Sequence, residues 1–340
     1  MKKDKTVTLK EIAAIAGTSV ATVSKSLNNS PEIKTDTKEK VLRIARDLNY
    51  NFEYRNLERL ARAKIIGIIC PEIVSNYYAR LVDSLRDSIV RNGYLFTLWI
   101  SDFNIDKEKL FANICLEQNF CGLIIITACD DPAQIKEIIA PLRDNIPVVV
   151  ITTDISTREF DYIQVNDAYG IEMAISHLVR LGHRDIAYIG DELTHRRHLI
   201  FCETLKKNGL EAKPALIRVE KKRFEECGYD GMKRLLESKS KFSALFAAYD
   251  DVAIGAMRAA GEAGKHIPGD ISVIGFDNIS ICSYLGTSLT TVSVPVKDAA
   301  DAAVDIVLRK LENIQFRAIR YVEFQPELIV RESTGLKPGK

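Results

Sequence analysis

The chain has 340 residues, of which 46% are hydrophobic and 27% charged, enough apolar material for packed cores; this excludes an intrinsically disordered or collagen-like protein. The formal net charge of +1 conceals an asymmetry. Residues 1–64 hold 14 Lys/Arg against 8 Asp/Glu and the other 276 hold 33 against 38, so a basic head precedes an acidic body.

In chain order, residues 6–49 read as three short helices. Thr8-Leu9-Lys10-Glu11 has the form of a capping box, and Leu9, Ile12, Ala13 and Ala16 follow at helical spacing. Gly17 supplies a stop, and Ser19 is a natural N-cap for a second helix through about Asn28. Asn28 to Pro31 reads as a loop. Asp36-Thr37-Lys38-Glu39 offers another capping box, before a helix with Val41, Leu42, Ile44, Ala45 and Leu48 on one side. Residues 50–64 form a charged linker without Pro or Gly. From Ile65 the texture changes to apolar strands alternating with amphipathic helices, with strands expected at 65–70, 94–100, 122–127, 147–151, 162–165, 185–190, 215–219, 244–249 and 271–277. Continuous apolar strands joined by helices imply parallel sheets covered on both faces, and nine of them fit two α/β subdomains better than one.

Cys70, Cys115, Cys121, Cys129, Cys202, Cys227 and Cys282 are odd in number and contain no C-x-x-C pair, which points away from a disulfide framework or a thiolate zinc site. With no run long enough for a signal peptide or a membrane span, the expectation is a reduced, cytoplasmic protein. No Gly-rich phosphate loop, nucleophile elbow or acid/base constellation is present, so the chain reads as a non-enzyme with no cofactor. His195 and His198 are spaced to share a metal but lack an evident third ligand. His177, His183 and His266 fall at helix ends and turns, where local hydrogen bonding is expected.

Two short helices around a Gly-containing turn match a helix-turn-helix, whose second helix enters the DNA major groove. In the second helix Val23 and Leu27 can face the core while Ser19, Thr22, Ser24, Lys25 and Asn28 present hydroxyls, an ammonium and an amide. Hydroxyls suit phosphates, and the methyl groups of Val20, Ala21 and Thr22 suit thymine methyls. From residue types alone, a protein-binding helical bundle with solvated polar positions stays open.

The segment TLKEIAAIAGTSVATVSKSLNNSPEIKTDTKEKVLRIARDLNY closely resembles the DNA-binding head of the LacI/GalR family, whose motif is T-L-x-[DE]-[IV]-A-x-x-A-G-V-S-x-x-T-V-S-[RK]-x-L-N. The resemblance continues through HLVRLGHRDIAYIG (177–190), IPGDISVIGFDN (267–278), LTTVSVPV (289–296) and ELIVRES (327–333). It implies a homodimeric transcription regulator, repression being the family default, with an N-terminal all-α helix-turn-helix head and an α/β periplasmic-binding-protein-like core of two parallel-sheet subdomains. The expected organisation is a head at 1–49, a hinge at 50–64 and an effector-binding and dimerisation core at 65–340. Within the core, one subdomain takes about 65–161 and 293–324, the other about 162–292 and 325–340. The implied partners are a double-stranded, pseudo-palindromic DNA operator, a small-molecule effector of carbohydrate type, and a second copy of the chain. The absence of a heptad tail after ELIVRES leads to an expected dimer rather than tetramer.

By the same resemblance Val20 and Ala21 take the main base-reading positions and Lys25 the neighbouring basic one, while Thr8, Leu9, Ser19, Thr22, Ser24, Asn28, Thr37 and Tyr50 complete the DNA-binding set. The family hinge Tyr-x-Pro-Asn-x-x-Ala-Arg-x-Leu is met only in part. Phe52 replaces the Pro, the stretch to Ile66-Gly67 is one residue short, and Leu57 and Leu60 are both candidate minor-groove wedges. In the segments after strand ends, where two-lobed α/β proteins hold ligands, the resemblance implies that Asp277 and Arg197 are the acidic and basic effector contacts and Tyr77 and Tyr78 the aromatic pair; Trp99, Thr127, Thr152, Arg223 and Tyr249 complete the effector candidates. Thr152-Thr153 replaces the usual Asp-Arg, Tyr249 the usual Asn, and Arg223 an aromatic. These departures make a plain neutral hexose less secure and point to an acidic, modified or ring-bearing ligand gripped by Arg197 and Arg223; a pocket that has lost its effector stays open as the alternative. A binding protein without specific DNA recognition is the alternative function.

Overall fold

Three helices make the head: α1 (Leu9–Ala16), α2 (Val20–Leu27) and α3 (Thr35–Asp47). The computed structural model describes residues 8–27, 33–48, 64–143, 145–153, 157, 159–238, 240–312 and 318–339. It divides into two units, Met1–Lys64 and Ile65–Lys340. The Thr8 capping box forms in both directions: Thr8 Oγ1 accepts from the Glu11 amide at 3.3 Å and Glu11 Oε2 accepts from the Thr8 amide at 2.6 Å. Helix α1 stops because Gly17 turns left-handed at φ 66°, a conformation that costs glycine no Cβ clash. Ser19 Oγ then accepts from the Thr22 amide at 3.1 Å and opens α2. Ile12, Ala13, Ala16, Val23, Leu27, Val41 and Ala45 are buried together, with Leu9, Ile44 and Leu48 against them. Helix α3 begins at Thr35, with the Thr37 and Lys38 amides donating to the Lys34 carbonyl, so Asp36 lies in the first turn and not at the expected cap. Asn28 and the linker residues Tyr50, Leu57 and Leu60 lie outside the described residues.

The core contains, in chain order, β1 (Ile65–Cys70), α4 (Asn76–Arg91), β2 (Leu95–Ile100), α5 (Ile105–Glu117), β3 (Gly122–Ile126), α6 (Pro132–Ile139), β4 (Val148–Thr153) and β5 (Asp161–Val165). Then follow α7 (Asp167–Arg180), β6 (Ile186–Asp191), α8 (His195–Lys207), β7 (Ile217–Glu220), α9 (Phe224–Glu237), β8 (Ala244–Ala247), α10 (Asp250–Glu262) and β9 (Ser272–Phe276). The last elements are β10 (Thr290–Ser293), α11 (Val296–Glu312), β11 (Tyr321–Phe324) and β12 (Glu327–Ile329). Two six-stranded sheets result, ordered β11-β5-β4-β3-β1-β2 and β12-β10-β9-β8-β6-β7. Pairing is parallel throughout except for β10 with β12. All nine strands expected from the apolar runs form, although Leu216 belongs to a short 3₁₀ turn ahead of β7. Side chains alternate between faces: Ile66, Ile68, Ile124 and Ile126 meet Leu81, Leu85 and Ile89 of α4, while Ile69, Leu123 and Ile125 meet the α5–α6 side.

Two expectations are corrected here. Strand β5 pairs with β4 and β11, so the first passage between lobes comes after Val165, not near 161. His177 and His183 do not bond locally. His183 is buried with Nδ1 at 2.8 Å from Ser243 Oγ and Nε2 at 3.0 Å from the Gly335 carbonyl, and His177 Nε2 lies 3.0 Å from Thr334 Oγ1. A carbonyl can only accept, so Nε2 of His183 carries the proton and Nδ1 accepts, and burial keeps the ring neutral by lowering its affinity for a second proton. Both rings tie the C-terminal segment onto the second lobe.

Helices α9 and α10 lie backbone to backbone. A Cβ on Gly228 would sit 1.8 Å from the Val252 carbonyl oxygen, and one on Gly255 would sit 1.9 Å from the Glu225 carbonyl oxygen. This approach brings the first residues of both helices, Phe224 and Asp250, with their neighbours Arg223 and Tyr249, to one end of the second sheet.

Candidate functional site

Helix α2 buries Val23, Ser26 and Leu27, which leaves Ser19, Val20, Ala21 and Lys25 exposed and Thr22 and Ser24 half-buried on its other side. Val20 is 40% exposed. The Ser26 hydroxyl is turned inward onto the Thr22 carbonyl at 2.8 Å. The outer surface of α2 therefore carries two methyl-bearing side chains, a hydroxyl and an ammonium, the set a recognition helix uses against base edges and phosphates. Of the other expected residues, Thr8 holds its hydroxyl in the cap, Leu9 packs against the head core, and Thr37 is half-buried in the first turn of α3.

The second site lies between the two sheets of the core, where the carboxyl ends of β3, β4, β6, β8 and β9 converge on a cavity of about 170 Å³. Tyr77, Tyr78, Thr127, Thr152, Arg197, Arg223, Tyr249 and Asp277 all line it. Trp99 does not. Its indole stacks between Phe111 at 5.8 Å and Phe120 at 5.4 Å, packed against the core of the first lobe, because β2 is an edge strand whose residue 99 points to the α5 face. Phe103, Asp167, Asp191, Thr194 and Phe224 join the lining. Asp191 ends β6 and would be found by a rule taking the first polar residue at a strand end, whereas past β5 that rule gives Asn166, one residue short of Asp167; nothing local marks Phe103.

Charge pairing organises the cavity. Arg197 Nε donates to Asp167 Oδ2 at 2.8 Å, Nη1 donates to the Ala248 carbonyl at 2.8 Å, and the guanidinium lies 3.9 Å from the Phe276 ring. Asp277 Oδ1 is 3.5 Å from Arg197 Nη2. Burial alone would ease the proton from Arg197, but Asp167 and Asp277 outweigh it and hold the group charged. Burial also pushes Asp277 above the usual carboxylate range, with Arg197 opposing. The Tyr249 hydroxyl donates to Asp191 Oδ2 at 2.5 Å and accepts from the Phe224 amide at 2.9 Å, so this residue, where an Asn was expected, joins the start of α9 to the end of β6. Arg223 is held bidentately by Glu72, at 2.7 and 2.6 Å. Both guanidinium groups expected to grip an acidic ligand thus have protein carboxylate partners, Asp167 for Arg197 and Glu72 for Arg223. Behind the wall, buried Glu108 accepts from Thr127 Oγ1 at 3.2 Å and the Cys129 amide donates to that hydroxyl at 3.1 Å, which fixes Thr127 with its proton turned inward. His195 and His198 stand edge to face 6.1 Å apart, and His198 packs on Tyr188.

Contacts also bridge the lobes: Asn76 Nδ2 donates to Asp251 Oδ1 at 2.9 Å, and Arg80 Nη1 to the carbonyls of Asp277 and Asn278 at 2.9 and 3.1 Å. Burial pushes Asp250 up to about 7 and Asp251 up to about 6. Between the ordinary value of 3.8 and these raised values both hold a proton in the folded chain that the unfolded chain has released, so their contribution to stability is full below 3.8 and is lost as pH rises through 6 and 7. The unfolding free energy should accordingly fall between pH 5 and 7.5 in urea titrations, and Asp250→Asn should flatten that fall; an unchanged slope in the variant would remove Asp250 as its source.

Residues 8–51 match the family described as bacterial regulatory proteins, lacI family, and residues 175–334 match a periplasmic binding protein-like domain. The chain is 32% identical over 333 residues to the HTH-type transcriptional repressor PurR of Photorhabdus laumondii, covering 96% of both proteins. The crystal structure of the lac repressor dimer bound to operator and the anti-inducer ONPF superposes with a TM-score of 0.76 at 25% identity, over 97% of this chain and 100% of that one. A regulator from Enterococcus faecium with bound ribose superposes at 0.68 with 25% identity, over 80% of this chain and 99% of that one. Among the described residues no helix is long and apolar enough to cross a membrane. With its helix-turn-helix head and two-sheet core, the chain belongs to the LacI family of bacterial transcriptional regulators.

Proposed function

We propose that the protein is a homodimeric repressor that reads a pseudo-palindromic operator with α2 of each head and is controlled by a small effector held between the core lobes. The observation that carries the reading is the pairing of two surfaces in one chain: an α2 face exposing Ser19, Val20, Ala21 and Lys25, and a cavity where strand ends of both sheets place aromatic and charged groups together. The first is suited to a major groove and the second to a polar small molecule. Two-fold assembly is supported by apolar side chains left exposed on α4, β2 and the adjoining turns: Ile73, Val74, Val90 and Leu95 on the first lobe, and Ile281 and Tyr284 on the second. The cavity is smaller than the ~300–1,000 Å³ of sites for drug-sized ligands, which favours an effector of monosaccharide size. An effector shifts operator occupancy only by its differential affinity for the two lobe arrangements.

Sequencing genomic fragments captured by the purified protein, over a range of salt, tests the reading. The expected result is one shared palindrome whose binding weakens with a slope of about −0.9 per phosphate contacted. Val20 and Ala21 offer methyl groups and no bidentate hydrogen bond, so Lys25 carries much of the polar recognition. Lys25→Met should then cost about 1–3 kcal/mol at the operator while leaving random DNA bound nearly as before. Weak binding to fragments with no common sequence would overturn the reading.

A further inference from the structure

Glu72 and Arg223 meet across the cleft from opposite lobes, 151 residues apart in the chain. Glu72 follows β1, with Cys70 Sγ donating to its carbonyl at 3.0 Å, and Arg223 immediately precedes α9. Each terminal nitrogen of Arg223 donates to a separate Glu72 oxygen, the parallel fork that makes arginine–carboxylate pairs specific as well as strong. One phenyl ring from each lobe flanks the guanidinium: Phe224 with its centroid at 4.5 Å and Phe103 at 5.7 Å. Both phenylalanines adopt left-handed backbone, φ 56° and 58°, a conformation bulky residues hold only where the surroundings dictate it. Glu72 is only 8% exposed, and Arg223 Nε, buried 3.8 Å from Asp191 Oδ2, makes no hydrogen bond.

Around this pair the cavity is acidic. Asp130, Asp167, Asp191, Asp277 and Glu72 face Arg196, Arg197 and Arg223. Asp277 Oδ1 is buried with no hydrogen-bond donor closer than Arg197 Nη2 at 3.5 Å, so it presents a lone pair in need of a donor.

We propose that Glu72 occupies the place on Arg223 that a ligand carboxylate would take, and so sets the charge class of the effector: uncharged or cationic, bearing a hydroxyl or amine for Asp277, and not anionic. The proposal rests on the reading of the cleft as the effector site. An anionic ligand would have to displace an intramolecular partner, whose effective concentration is high. It would leave Glu72 buried without its cation. It would also face Asp167, Asp191 and Asp277 where the dielectric is low. Glu72 is on this account a specificity-determining residue.

The full-length protein, Glu72→Ala, Arg223→Gln and the Glu72→Ala/Arg223→Gln double variant are melted in sodium acetate or sodium glucuronate against sodium chloride at equal ionic strength. The wild type should melt alike in all three salts. Glu72→Ala should gain a saturable rise in melting temperature with acetate, half-saturating at a concentration roughly tenfold or more below any wild-type response, and the double variant should lose it. An Arg223-dependent carboxylate response in the wild type would overturn the proposal, and this arm decides even if Glu72→Ala fails to fold. So would a folded Glu72→Ala that responds no more than the double variant. These melts report on Arg223 alone, whereas failure of the effector reading would show as operator binding that no uncharged or cationic small molecule alters.

Discussion

Arg197→Met is expected to destabilise the core by about 3–5 kcal/mol at neutral pH, because it leaves the Asp167 and Asp277 carboxylates buried and facing one another with no cation between them. The methionine fills much of the volume and can rest on Phe276, so the loss is electrostatic more than steric. This separates it from an ordinary cavity mutation through its pH dependence. Burial already raises Asp277 and Arg197 opposes the rise, so removing the arginine raises the carboxyl further. A group with a raised folded-state value stabilises when protonated, so the variant should recover toward wild type as pH falls to about 4–5 and lose stability as pH climbs through neutrality. Urea denaturation at pH 4.5, 6 and 7.5 reads this directly. A deficit that stays constant across the three would mean that the carboxylates find other partners and that packing alone explains the cost.

Gly228→Ala is expected to cost about 3 kcal/mol or more, at the upper end of overpacking effects, because the new methyl would sit 1.8 Å from the Val252 carbonyl oxygen and backbone cannot rotate away. Relief requires α9 and α10 to separate, which would also carry Arg223 from Glu72 and Phe224 from Tyr249. The substitution should therefore weaken pocket geometry as well as stability. Gly261→Ala, in α10 with open space around the position, is the control; it should be neutral or stabilise by up to about 1 kcal/mol, as alanine restricts the unfolded chain. Equal melting temperatures for both variants would show that the two helices do not need their close approach.

Much of the architecture was legible before any coordinates. The capping box at Thr8, the stop at Gly17, the core positions of α1 and α2, and the nine apolar strands follow from local rules of hydrogen bonding and side-chain periodicity. The three strands that were not anticipated, β10, β11 and β12, are four, four and three residues long, and Tyr321, Glu323 and Glu327 are exposed. None of the three is a continuous apolar run, the signal that marked the other nine; these segments are strands because β9, β5 and β10 offer them ladder partners. Pairing also moved the lobe boundary: the expected division near 161 put β5 in the second lobe, while its ladder partners are β4 and β11.

At the pocket, strand-end position together with the family resemblance gathered eight of the candidate residues, because parallel sheets direct all their carboxyl ends to one edge. It was not enough for Trp99, whose direction depends on which face of an edge strand it takes. Nor could the sequence show whether Arg197 and Arg223 were available to a ligand. The sequence by itself determined the class of most elements, the helix-turn-helix surface and the edge at which a ligand site must form, since those depend on neighbours a few residues away. Only the tertiary structure decided that Glu72 closes on Arg223, that Asp167 and Asp277 share Arg197, and that His183 anchors the C-terminal segment. Such pairs join residues tens to hundreds of positions apart, and which buried charges meet is set by the path of the chain between them.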